Sequence, residues 1–147
     1  MLEDALTKVG INAVDLYRQS FIDNDRVATG KTNDSVSYEV LSDSNLTTLK
    51  VTGREDISDL EDGVSAEQYA SKPATMGALE QWINARGLNR TAESIDEGLR
   101  RNGWVSGNGE FGGTPGIITV PSIKIIEDAK RAVENISKDL VLREIKI

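Results

Sequence analysis

The chain has 147 residues, 28% charged and 38% hydrophobic, with a formal net charge of −7 from 17 basic and 24 acidic side chains. That length and balance describe one folded domain, residues 1–147, able to bury a core. With no cysteine and no histidine, disulfides, thiolate nucleophiles, imidazole acid–base chemistry and nearly all zinc sites are excluded. A net negative charge also argues against a tight grip on nucleic-acid phosphates.

The N-terminus, MLEDALTKVG, is acidic and amphipathic, unlike a signal peptide, and no apolar run approaches membrane-spanning length. The expected setting is a cytoplasm, or something assembled there. Over residues 2–22, Leu2, Leu6, Val9, Ala13 and Leu16 recur at helical spacing beside Ala5, Tyr17 and Phe21, which predicts an amphipathic helix. Asp23-Asn24-Asp25 ends it. A short turn or helical piece follows around Gly30 to Asp34. Val36, Tyr38 and Val40 then alternate with polar residues, Ser42-Asp43-Ser44-Asn45 is a turn cluster, and Thr47, Leu49 and Val51 alternate again. That is a hairpin.

Residues 53–72 read as acidic and irregular. Pro73 is expected to open a helix with Met76, Leu79, Trp82 and Ile83 on one face, closed by Gly87. Thr91 suits the N-cap of the next helix, with Ala92, Ile95 and Leu99 inward and Arg100 and Arg101 in the last turn. A glycine-rich loop spans about 103–116. Ile117 to Val120 reads as a short strand. Pro121 is expected to start a long helix with Ile126, Ala129, Val133, Ile136 and Leu140 on one face, and LVLREIKI reads as a C-terminal strand. The fold class is α+β: amphipathic helices on a small, mostly antiparallel sheet, with a long glycine-rich loop.

Three motifs invite a chemical reading. Gly30-Lys31-Thr32 ends like a phosphate-binding loop, but the position of its first glycine is Asp25, a helix precedes it and the pattern after it is a strand. A polar turn is the better reading. Gly107 to Gly112 fits Gly-x-Gly-x-x-Gly, yet it runs into Gly113-Thr114-Pro115-Gly116, which cannot start the required helix. Glu55, Asp56, Asp59, Glu61 and Asp62 lack the calcium-loop spacing and read as a solvated acidic face. Neither a metal nor a cofactor is implied. Trp82 reads as core, with a subunit interface as the other reading. Trp104 and Phe111, in or beside the glycine loop, read as core or as contacts that order on binding.

Four segments in order give the chain a resemblance. They are the N-terminal helix leading into ATGKTNDSVSYEV, then LEDG at Leu60 to Gly63, KPATMGALEQWINARGL at Lys72 to Leu88, and AESIDEGLRRNGW at Ala92 to Trp104. Together they resemble the tail-completion, or neck, proteins of tailed bacteriophages. The sequence departs from that pattern at Pro73-Ala74, where the family has a double proline, and at Thr32, where leucine is frequent. The resemblance implies a structural virion protein rather than an enzyme. It would form a homo-oligomeric ring between the head connector and the tail proteins, with DNA passing through the lumen without specific binding. It would be made in the host cytoplasm and carried in the virion, with no membrane partner. The residues expected at its contacts are Gly30, Lys31, Trp82, Arg86, Trp104, Phe111, Arg143 and Ile145. A tail-terminator ring and a non-virion adaptor are the rival readings. An enzyme using only carboxylates is a third.

Overall fold

A computed structural model of the chain describes residues 1–26, 30–105 and 114–144. In order these form α1 (Leu2–Asp23), α2 (Lys31–Ser35), β1 (Ser37–Ser42), β2 (Thr47–Thr52), a 3-10 turn (Glu55–Ser58), α3 (Asp59–Asp62), β3 (Gly63–Val64), α4 (Ala66–Ser71), α5 (Met76–Arg86), α6 (Ala92–Asn102), β4 (Trp104–Val105) and α7 (Thr119–Glu144). The fold is α+β, as the sequence patterns predict. Its strands form two separate antiparallel pairs, β1–β2 and β3–β4, rather than one sheet.

α1 is the spine of the first lobe. The hairpin covers one of its sides and α7 packs along another. Val9 and Ala13 of α1 meet Ile125 of α7, with Leu49 and Val51 of β2 packed against them. The hairpin pairs Ser37 with Thr52 through to Ser42 with Thr47. Tyr38, Val40, Leu49 and Val51 lie on its more buried face, as strand alternation requires. Its turn is held by the Asp43 carboxylate, which accepts the Asn45 and Leu46 N–H groups at 2.8 Å each. That arrangement also holds the Asp43 carboxyl below its ordinary range. Gly10 makes the close approach possible, since a Cβ there would lie 2.3 Å from Cδ2 of Tyr38.

At the far end of α1, Phe21, Val36 and Ile117 form a second buried cluster. A third, Leu79, Ile83, Ala92 and Ile95, holds α5 against α6 in a second lobe. That lobe follows the capping signals. Thr75 and Thr91 accept the N–H groups of Ala78 and Ser94, and Gly87 ends α5 in the left-handed conformation. Gly103 has φ 68° and ends α6. A Cβ there would lie 2.5 Å from the Val64 carbonyl oxygen, so only glycine lets β4 leave α6 and pair with β3.

The sequence reading needs four corrections. Residues 53–72 are not irregular. They fold as short elements, with α4 started by a capping box in which Ser65 and Gln68 satisfy each other's backbone N–H. α5 begins at Met76 rather than at Pro73, because Thr75 supplies the cap. Ile117 to Val120 is no strand. Ile117 is 1% exposed and plugs the second cluster from a turn, and α7 starts at Thr119. Pro121 falls in its first turn, where the missing N–H breaks no helical bond. The expected C-terminal strand is helix as far as Glu144, because the helical spacing of apolar residues runs on through Leu140. Residues 106–113 of the glycine loop and 145–147 lie outside the described residues.

The acidic stretch has a structural task. The Glu61 carboxylate accepts the Ile118 N–H at 2.9 Å and the Thr119 N–H at 2.7 Å, and it also takes the Thr119 hydroxyl. It therefore caps α7 from a distant segment, using donors that a helix start cannot satisfy itself. Burial opposes its ionisation, but the bonds from Thr119, Ile118 and Gly116 prevail and hold the carboxyl below its ordinary range.

Two substitutions test this architecture. Gly10→Ala is expected to destabilise the protein by about 1–3 kcal/mol through overpacking against Tyr38, although alanine is the better helix former. Glu61→Ala removes the cap and is expected to cost about 1–2 kcal/mol. Urea unfolding reads both, and a Gly10→Ala variant more stable than the parent would refute the seating of Tyr38 on α1.

Candidate protein-interaction site

A cleft of about 1110 Å³ lies between the two lobes. On one side stand the end of α1 and α2, through Arg26, Gly30 and Asn33. On the other stand α5 and α6, through Leu79, Trp82, Arg86 and Leu99, and Val64 and Trp104 of the β3–β4 pair also line it. Four of the residues expected from the sequence, Gly30, Trp82, Arg86 and Trp104, therefore share one cavity.

Each is fixed by its neighbours. Gly30 has φ 80° and opens α2. The adjoining Lys31 gives its Nζ to Gln81 Oε1 at 3.0 Å, so the lysine of the GKT turn ties α2 to α5. Trp82 packs against the α5–α6 cluster. The Arg86 guanidinium, 19% exposed, bonds Asp25 Oδ2 at 2.7 Å and also the Asp25 carbonyl. Asp25 is the one non-glycine residue with positive φ among the described residues, so Arg86 grips the sharp exit from α1. The Arg26 guanidinium lies 5.9 Å from the centroid of Trp104, within cation–π range, and its Nε donates to Thr114. Burial, and then the Arg86 charge, lower the Arg26 pKa against the pull of Asp25. Phe111 and Ile145 lie outside the described residues. Arg143 lies within α7.

Among the described residues, Asn33 Oδ1, Arg86 Nε and Trp104 Nε1 at this cleft are buried and find no hydrogen-bond partner. Buried groups of this kind are rare in folded proteins. Beneath the same cleft, buried Tyr69 donates to Asp96 Oδ1 at 2.8 Å, and Arg100 Nε bonds Asp96 Oδ2 at 2.7 Å. These bonds, from Arg100 first and Tyr69 second, hold the Asp96 carboxyl below its ordinary range. Burial, reinforced by Asp96, raises the Tyr69 pKa, which keeps its hydroxyl a donor. Asp96 and Glu61 are thus committed to holding helices in place.

The second feature is an exposed apolar face on α7. Val120, Ile123, Ile126, Val133 and Leu140 are 66%, 53%, 54%, 44% and 48% exposed. Sequence periodicity placed Ile126, Val133 and Leu140 on the same face as Ala129 and Ile136. In the fold only Ala129 and Ile136 turn toward partial burial, because the seam against α1 uses Ile125, Ala129 and Ala132. Among the described residues no group of three or more carboxylates is placed to hold a metal ion, and no helix is long and apolar enough to cross a membrane. Comparison with protein-family models, curated proteins and solved structures finds no match to this chain.

The Asp96 network has a measurable pH signature. A carboxyl held low in the folded state adds stability above its unfolded value, near pH 4, and that stability is lost as pH falls through the folded value. Asp96→Asn is therefore expected to lower the melting temperature at pH 7 and to narrow the gap from the parent as pH drops below about 4. An unchanged gap between pH 7 and 3 would remove Asp96 from the pH response.

Proposed function

We propose that the chain is a structural subunit of a tailed-phage virion that assembles with copies of itself into a ring at the head–tail junction. One observation carries the assembly part of this reading: the five exposed apolar side chains along α7. Exposed apolar residues gathered on one helix mark a surface that another protein covers. The junction itself rests on the resemblance of four ordered segments to neck proteins. Those segments fall on α1 with the hairpin, on α3, on α5 and on α6. A net charge of −7 suits a ring around sliding DNA, since like charge discourages adhesion to the wall.

Electron cryo-microscopy of particles from the source tests it directly. The expected image is a closed symmetric ring of this chain on the axis between capsid and tail. Particles lacking the chain would end the neck reading. A ring at the tail's upper end, not touching the connector, would instead favour a tail terminator.

A further inference from the structure

The apolar face of α7 has a regular order. Ile123, Ile126, Lys130, Val133, Ser137 and Leu140 follow one another at spacings of three, four, three, four and three residues, all on exposed positions. This is the repeat by which one helix packs along another. It runs for about 26 Å of helix. One charge, Lys130, interrupts it near the middle. Within α7, Lys124 and Arg131 pair with Asp128, while Glu127 and Glu134 flank Lys130 in sequence without forming an ion pair to it. Among the described residues Lys130 has no ion-pair partner.

α1 carries a second exposed line with a matching interruption. Asp4, Lys8, Ile11, Asp15, Gln19 and Ile22 form this exposed line, with Ile11 and Ile22 at 48% and 54% exposure, and at one edge Asp15 and Gln19 border a shallow groove shared with Lys124 and Asp128 of α7. Asp15 has no ion-pair partner among the described residues. Set antiparallel with Asp15 opposite Lys130, the two lines come into register. Ile11, four residues before Asp15, falls opposite Val133, three after Lys130. Ile22, seven after Asp15, falls opposite Ile123, seven before Lys130. Two apolar pairs flank the charge pair, Ile11 with Val133 and Ile22 with Ile123, while Ile126 meets Gln19 and Ser137 meets Lys8.

We infer that the outer face of α1 in one copy of this chain packs antiparallel on the α7 seam of the next, with Asp15 paired to Lys130. The occupant of the α7 seam is thus a second copy, presenting a different face. A contact between two different faces is heterologous, and its repetition closes a ring or extends a filament, whereas a face that meets itself stops at a dimer. The inference rests on the self-assembly part of the proposed function and names the surfaces that perform it.

The absence of native cysteine makes the full chain suitable for cross-linking. In the Ile11→Cys/Val133→Cys double variant, oxidation is expected to give a ladder of covalent multimers on a non-reducing gel. Each single variant should remain monomeric there. In parallel, Asp15→Lys and Lys130→Asp are each expected to weaken self-association at least about tenfold by light scattering, and the two together to restore it. All four positions are exposed, so the variants keep the fold, which circular dichroism checks. Covalent dimers from Val133→Cys alone would show that α7 meets itself and overturn the inference. Assembly by light scattering without the ladder would overturn it while leaving the ring reading in place. No association at any concentration, with no ladder, would remove both.

Discussion

The structure depends on how closely α1 can be approached. This helix has the hairpin on one side and α7 on another, and the residues at both contacts are small. Gly10 leaves room for the Tyr38 ring. Ala13, fully buried, lies against Ile125. Larger side chains at either place would push a layer away and open a void that the other layers could not fill, because interiors pack at near-crystalline density. The short distance also brings the Tyr17 hydroxyl within 2.6 Å of Ser122 Oγ and Ser20 Oγ within 2.8 Å of the Ile117 carbonyl. Polar groups thus finish a contact that apolar packing begins.

The second lobe is held to this spine mainly by polar contacts. Arg86 to Asp25 and Lys31 to Gln81 link α5 to the end of α1 and to α2. Contacts of this kind set direction more than they add stability, since exposed ion pairs contribute about 1 kcal/mol or less. A cleft between two separately cored lobes follows naturally. Each lobe buries apolar clusters of its own, and the space between them is lined by edges of those clusters, such as Leu79 and Leu99, together with Arg26, Arg86, Trp82 and Trp104.

Much of this could be read from the sequence, for identifiable reasons. The helix over 2–22, the hairpin and the caps at Thr91, Gly87 and Gly103 are local signals, each set by residues within a turn or two. The Ser65–Gln68 box was equally local and lay unread inside a stretch dominated by its acidic composition. What the sequence concealed is non-local. Glu61 caps a helix 58 residues away, and no pattern near Glu61 records that partner. The C-terminal strand failed for a different reason. β-branched and aliphatic residues in LVLREIKI satisfy both periods in so short a run, and the preceding helix decides the matter by continuing. At the site, Trp82, Arg86, Trp104 and Gly30 were singled out separately, and only the fold places them on one cavity. Asn33 and Asp96 carried no distinguishing signal.

The burial of α7 also determines what it leaves exposed. Its inner seam uses Ile125, Ala129 and Ala132, and a helix can present only one such stripe to a single neighbour. Ile123, Ile126, Val133 and Leu140 lie outside that stripe, so no repacking against α1 can cover them while Ile125 stays buried. The same holds for Ile11 and Ile22, which point away from the side of α1 that Val9 and Ala13 occupy. The two faces left bare therefore belong to the same pair of helices whose packing defines the first lobe. An assembly built through them would repeat between subunits the antiparallel α1–α7 contact already made within each one.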